Sequence, residues 1–348
     1  MVDWDLAGQI ARFAAGSDAP VHLDADFPAM VARAEPEVAK QMGLRPASPP
    51  PRPELVGRRE WAELNLRSLR DWLDPVGARL DERLEGAGPL AGALRLGTGA
   101  TLAAEAGLVM GYVSQRVLGQ YEISLLQPAA QPRLLFVEPN LARAIEELEV
   151  DRESFLEWIV IHELTHAFQF GGVPWLRDHL GGLVREYLST VEVRIERGAA
   201  GGLPSLPNPA RIVELFREGG LAALVQTSEQ RRLLDRLQTV MAVVEGYSEH
   251  LMDEVGRRLL PAYDGLREAM SRRRGNRSAP ERVLERLLGL DLKLRQYELG
   301  KEFCDGVAAA GGREALNRVW DSPVALPTPA ELSAPRAWLE RTAAMAPA

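Results

Sequence analysis

The stretch Trp158–Gln169 reads WIVIHELTHAFQ, and the rest of the chain is best understood outward from it. Ile159, Val160, Ile161, Leu164, Ala167 and Phe168 are all uncharged, so a helix here is wrapped on most sides, as the floor of a cleft must be. Gly171-Gly172 supplies its stop. Inside the run His162, Glu163 and His166 form H-E-x-x-H. Histidines four apart leave one helix face about 5–6 Å apart at Cβ, so both imidazoles can reach a single metal ion. Glu163 follows the first histidine directly and can reach a water beside that ion without joining its ligands. The 348 residues hold five histidines, and two of them stand in this motif. Chance alone produces it in such a chain on the order of one time in a hundred.

Imidazole pairs suit zinc (Zn2+), whose catalytic sites take three protein ligands and keep one position open. Zinc lowers the pKa of water toward about 7 and polarises a carbonyl. Beside it, Glu163 is placed to take a proton from water and pass it to a leaving amine. The implied chemistry is hydrolysis of an amide or related acyl bond. A third ligand must come from elsewhere, because Gln169–Trp175 lacks the further histidine of a metzincin continuation. Glu186 stands on a helical stretch at a thermolysin-like distance from the motif. Glu245 and His250 both lie in Val240–Met252, VMAVVEGYSEHLM. An acid in so apolar a helix is costly unless it is paired or metal-bound. On residue type and spacing Glu245 leads, with Glu186 and His250 left open.

Helical periodicity recurs through Arg58–Leu84, Leu141–Leu148, Phe155–Phe170, Arg231–Leu260 and Pro280–Ala310. Strand signals are confined to Gln120–Leu126 (QYEISLL) and Arg133–Val137 (RLLFV), which predict a hairpin or two neighbouring strands. One of these strands is expected to line the cleft, where an edge strand can bind an extended peptide. After Pro139, Asn140 reads as a helix N-cap. Arg45–Pro53 (RPASPPPRP) reads as an extended connector, and Gly198–Pro209 and Arg272–Ala279 as loops. The expected class is mainly α (α+β), with one small β-sheet. Residues 1–104, with the Pro-rich connector at 45–53, form an N-terminal helical region covering a catalytic region at 105–348, unless the two are one continuous domain.

Composition narrows the partners. The 41 Lys and Arg against 49 Asp and Glu leave a net charge of −8, which gives no bulk attraction for nucleic acid or anionic lipid. A single cysteine, Cys304, excludes an intramolecular disulfide and a cysteine metal cluster. Asp3 and Asp5 stand where a secretory signal would carry positive charge, and no apolar run approaches the roughly 18 residues of a membrane span. A cytoplasmic location is the expectation.

The blocks IHELTHAFQFGGVPWLRDHL (161–180), VVEGYSEHLMDEVG (243–256), LDLKLRQYELGKEFCDGV (290–307) and LNRVWDSPVALPTP (316–329) together resemble a bacterial zincin-like family of zinc-dependent metallopeptidases or hydrolases. Upstream, YVSQRVLGQYEISLL (112–126) and FVEPNLARAIEEL (136–148) resemble it too, so the likeness spans roughly residues 105–330. It implies a zincin-like core, His162 and His166 as metal ligands, Glu163 as catalytic base, and a peptide or small amide as substrate. Glu245, in the family's Glu-Gly-x-x block, becomes the implied third ligand. Where the family carries histidine two residues later, this chain has Tyr247, and Ser248-Glu249 replace Ala-Asp. The Tyr247 hydroxyl is then the expected oxyanion donor. Some members are labelled as associated with deazaflavin-coenzyme biosynthesis, but no deazaflavin-binding feature is recognisable in this sequence.

Other polar residues have plainer readings. His179 caps or pairs within a helix, Asp178 is a candidate partner for a ligand histidine, Arg295 and Tyr297 fit an ordinary helix surface or an oxyanion role, and Cys304 a buried apolar position. The competing function is a non-catalytic zinc-binding scaffold or partner-binding protein that retains the site. Against it, a structural site needs the histidines but not Glu163. An unrestricted cytoplasmic peptidase would damage its neighbours, so the N-terminal roughly 100 residues are expected to restrict access.

Overall fold

Helix starts follow local capping chemistry. Asp3, Asp26, Asp151 and Thr227 each accept a backbone N–H from the turn that follows, and each opens a helix. The structure is a computed structural model, and describes residues 2–17, 22–85, 91–125, 127, 130–190, 227–275 and 290–345. In chain order the elements begin with α1 (Trp4–Ala14), α2 (Phe27–Met42), β1 (Pro53–Val56), α3 (Arg58–Glu85), α4 (Ala91–Ser114), β2 (Gly119–Glu122), β3 (Arg133–Val137) and α5 (Glu138–Leu148). There follow α6 (Arg152–Gly172), α7 (Leu176–Thr190), α8 (Ser228–Leu259), α9 (Tyr263–Gly275), α10 (Leu290–Asn317), α11 (Pro329–Leu332) and α12 (Pro335–Ala343). The chain is thus mainly α with one small sheet.

That sheet has the order β1-β3-β2. β1 runs parallel to β3, with Val56 opposite Val137, and β2 runs antiparallel, with Tyr121 opposite Leu134. Strand side chains alternate between faces, so the buried β3 serves two cores. Leu134 and Phe136 join Phe27, Leu141, Leu156 and Ile161 in the larger core around α6. Leu135 and Val137 join Ala7, Ala11, Trp61, Leu66 and Ala103 of α1, α3 and α4 on the other side. The N-terminal residues therefore build both layers, through α2 on one hand and α1, β1 and α3 on the other.

Several local expectations are corrected. The last residue of the Pro-rich connector opens β1, a position an edge strand tolerates because proline lacks only a donor. β2 begins at Gly119 and stops at Glu122, short of Leu126. Asn140 is not a cap, since α5 starts at Glu138. Its buried amide instead donates to the carbonyls of Ser114 and Val117, each at 2.7 Å, and accepts from Arg58 Nε at 2.7 Å. Asn140 so ties the link between α4 and β2 to α5. The expected loop Gly198–Pro209 lies outside the described residues, as does 276–289, including the end of the predicted basic loop. Among the described residues no helix is long and apolar enough to cross a membrane.

Candidate metal centre

Helix α6 carries the motif, and its backbone is well anchored. Asp151 accepts the Ser154 N–H at 2.8 Å, and every residue from Ser154 to Gln169 is buried except His162. Helix α8 crosses close by. Gly246 and Gly300 let α8 and α10 touch backbone to backbone: a β-carbon on Gly246 would stand 2.1 Å from the Gly300 carbonyl carbon. This close approach sets the depth of α8 and so of Glu245, the neighbouring residue.

His162, His166 and Glu245 converge. The two Nε2 atoms lie 3.2 Å apart, and Glu245 Oε2 lies 3.7 Å from His166 Nε2 and 3.9 Å from His162 Nε2. Among the described residues these three form a group able to hold a metal ion. Their outer nitrogens decide which tautomer faces inward. Gln169 Nε2 donates to the Val244 carbonyl at 2.9 Å, so its Oε1, 2.8 Å from His166 Nδ1, must accept. The proton of His166 therefore sits on Nδ1, and the Nε2 lone pair points into the trio. His162 Nδ1 lies 3.0 Å from Ser248 Oγ and 3.1 Å from the Met252 sulfur, which can only accept, so the same tautomer is favoured there.

Three electron-rich atoms thus face one another, an arrangement that repels itself unless a cation sits among them. Neighbouring ligands of a tetrahedral zinc ion stand about 3.3–3.6 Å apart for bonds of about 2.0–2.2 Å. The trio's separations suit zinc, with small inward movements of the carboxylate.

Glu163 lies beside the trio, not in it. Its Oε2 accepts the Tyr121 N–H of β2 at 2.8 Å. Gly119 leaves room for this carboxylate, since a β-carbon there would stand 2.8 Å from Glu163 Cγ and Oε1. Burial pushes the Glu163 carboxyl from its usual 4.5 up to about 7. The negative charge of Glu245 adds to this, while His166 and the Tyr121 N–H oppose it. Of the two strands expected near the motif, β2, an edge strand, touches Glu163 through its backbone.

The structure does not bring the other candidates to the trio. Tyr247 is buried; its hydroxyl donates to Asn317 Oδ1 at 2.7 Å and its ring packs edge-on against Trp320. Residues two apart face opposite sides of a helix, so Tyr247 and Glu245 cannot share a site. His250 pairs with Asp305 at 2.7 Å, and Glu186 is outside the group. His179 packs edge-on against Trp175. Asp178 is exposed, and the acceptor on His166 is Gln169 instead. Cys304 is buried among apolar residues, which raises its thiol pKa. The side chains of Arg295 and Tyr297 lie outside the described residues. Sequence reading missed Gln169, Ser248 and Gly119. Gln169 and Ser248 each stand three residues after a member of the trio, the spacing at which helix neighbours meet. No local signal marks Gly119.

Comparisons with known proteins place the chain in a family. A protein from Chloroflexus aurantiacus, whose crystal structure is provisionally described as a hydrolase with a novel fold, is 32% identical, with a TM-score of 0.74 over 99% of each chain. A search of curated proteins finds no match. The model of the zincin-like metallopeptidase family matches residues 2–339. With nearly the whole length matched, the chain belongs to the zincin-like metallopeptidase family.

Proposed function

We propose that the chain is a zinc-dependent hydrolase of metallopeptidase type, cleaving an amide bond in a peptide or small amide. His162, His166 and Glu245 would hold the ion. When bound, zinc supplies a Lewis acid that polarises the substrate carbonyl and acidifies water. The observation that carries the reading is Glu163: a buried carboxylate beside the three converging ligand atoms, held by Tyr121 N–H and outside the ligand set. A scaffold site would have no use for it.

The residues divide the work. Gln169 and Ser248 orient the imidazoles from outside, which fixes the lone pairs inward before any ion arrives. Glu163, which a dication bound beside it would hold ionised, accepts the proton of the attacking water and delivers it to the leaving amine as the bond breaks. Burial keeps competing water from solvating this carboxylate. The edge strand β2 supports an extended substrate laid along the sheet, with its scissile bond beside Glu163.

The test is hydrolysis of a mixed fluorogenic peptide library by the zinc-loaded chain. Activity lost on chelation, restored by zinc and abolished in Glu163→Gln with zinc still bound supports the reading. Stoichiometric zinc with no hydrolysis of any peptide or small amide, or full activity in Glu163→Gln, refutes it.

A further inference from the structure

Helices α6 and α8 run antiparallel past each other: Gln169 meets Val244, His166 faces Glu245, and His162 meets Ser248 and Met252. One turn toward the C-terminus of α6 is therefore one turn toward the N-terminus of α8. That step leads from His166 to Phe170 and from Glu245 to Met241. Both are apolar, and both keep part of their surface accessible. The opposite step from Glu245 leads to Glu249, an acid. The two flanks of the trio thus differ in chemistry.

Phe170 is also tied to the proposed base. It stands seven residues after Glu163, which returns it to the same face of α6 two turns on. Tyr121 spans that interval. Its N–H holds Glu163 Oε2 at 2.8 Å, and its ring, also partly accessible, stacks on Phe170 with centroids 6.4 Å apart and planes 19° from parallel. Arg177, whose charge is felt at the Tyr121 hydroxyl, donates to the carbonyls of Ser124, Gln127 and Ala130, so its guanidinium is already engaged. A substrate whose scissile bond lies beside Glu163 must lay a neighbouring side chain over whatever flanks Glu163. On this flank that is two aromatic rings and a thioether, which suit apolar carbon and offer a carboxylate no partner.

We propose, resting on the hydrolase reading, that Tyr121, Phe170 and Met241 form the subsite that selects a large apolar side chain on the residue following the scissile bond. Glu163 passes its proton to the leaving nitrogen, so that nitrogen lies on the Glu163 side. The residue carrying it is then the one nearest Tyr121 and Phe170. The substrate class is a peptide cut on the amino side of Leu, Met or Phe.

The test reads selectivity and binding separately. Cleavage sites in a mixed peptide library digested by the zinc-loaded full chain are mapped by mass spectrometry, and kcat/KM is compared for peptides differing only in the residue after the bond. Leu or Phe there should exceed Ala and Asp by at least about tenfold. That ratio should fall about tenfold in Phe170→Ala and in Met241→Ala, and return in Phe170→Leu. A merely structural role would lower all substrates alike and leave the ratio as it was. On the Glu163→Gln background, where peptides bind uncut, ligand-observed NMR with acetyl-Gly-Leu-amide and acetyl-Gly-Asp-amide should show the same preference, lost on adding Phe170→Ala. No hydrolysis alongside that selective binding would refute the hydrolase reading and leave the subsite standing. Hydrolysis with no apolar preference, a preference confined to the residue before the bond, a ratio indifferent to both alanine variants, or equal binding of the two amides would each overturn the proposal.

Discussion

Replacing Glu163 by Gln should remove activity and at the same time stabilise the metal-free protein above neutral pH. The side chain is 5% exposed and its carboxyl is pushed from 4.5 to about 7, mainly by burial. For an acid, a raised folded-state pKa means that the native chain keeps a proton which the unfolded chain has released. Stability therefore falls as pH rises from about 4.5 through 7 and then levels off. Over that interval the loss amounts to about 3 kcal/mol. Glutamine has nearly the same shape, can still accept the Tyr121 N–H through its carbonyl, and carries no charge to bury. After exhaustive chelation, thermal unfolding of both proteins across pH 4.5–8 should show matched stability at the acid end. Glu163→Gln should lead by up to about 3 kcal/mol at pH 8. With zinc restored, hydrolysis by the variant should be down about 10²–10⁴-fold. The reasoning fails if the two pH profiles run parallel, for then Glu163 is not held against its charge. Bound zinc would narrow the gap in the parent, because a nearby dication favours the ionised carboxylate.

Three further substitutions probe the support of the site. Gly119→Ala puts a methyl 2.8 Å from Glu163 Cγ and Oε1, so the carboxylate must shift; hydrolysis should fall on the order of 100-fold with zinc content by elemental analysis unchanged. Gln169→Leu removes the acceptor that holds His166 Nδ1–H, and a chelator-competition titration should show zinc affinity lower by about 10–100-fold. Gly300→Ala drives a β-carbon to 1.9 Å from the Ala242 carbonyl oxygen, a backbone atom that has nowhere to go; denaturant unfolding should show a loss of about 3 kcal/mol, or no folded protein.

What could be read from the sequence was whatever a single element encodes. His162 and His166 share a face because a helix repeats every 3.6 residues, and Glu245 stands out as an acid in an apolar run. The hairpin partners were legible from their apolar content. β1 was not, because four residues after a proline-rich stretch carry no pattern of their own and become a strand only through pairing with β3. α4 escaped notice because its Ala- and Gly-rich run has little periodic contrast. Gly119 shows its purpose only once β2 lies against α6. Such features depend on which elements meet, and no local window contains that information.

Helical register also explains why Tyr247 was placed wrongly by likeness of motif. From Glu245, a step of three residues returns to nearly the same face, and Ser248 accordingly reaches His162. A step of two residues turns about 200° away, and Tyr247 accordingly meets Asn317 and Trp320 instead. Asn317 in turn donates to the carbonyls of Gln41 at 3.2 Å and Met42 at 2.8 Å, so the Tyr247 hydroxyl helps tie α8, α10 and α2 together. Tyr247, one of the positions at which this chain differs from the pattern it resembles, thus belongs to the seam between three helices. A change there alters how α8 is seated, and reaches the trio only by moving Glu245 with it.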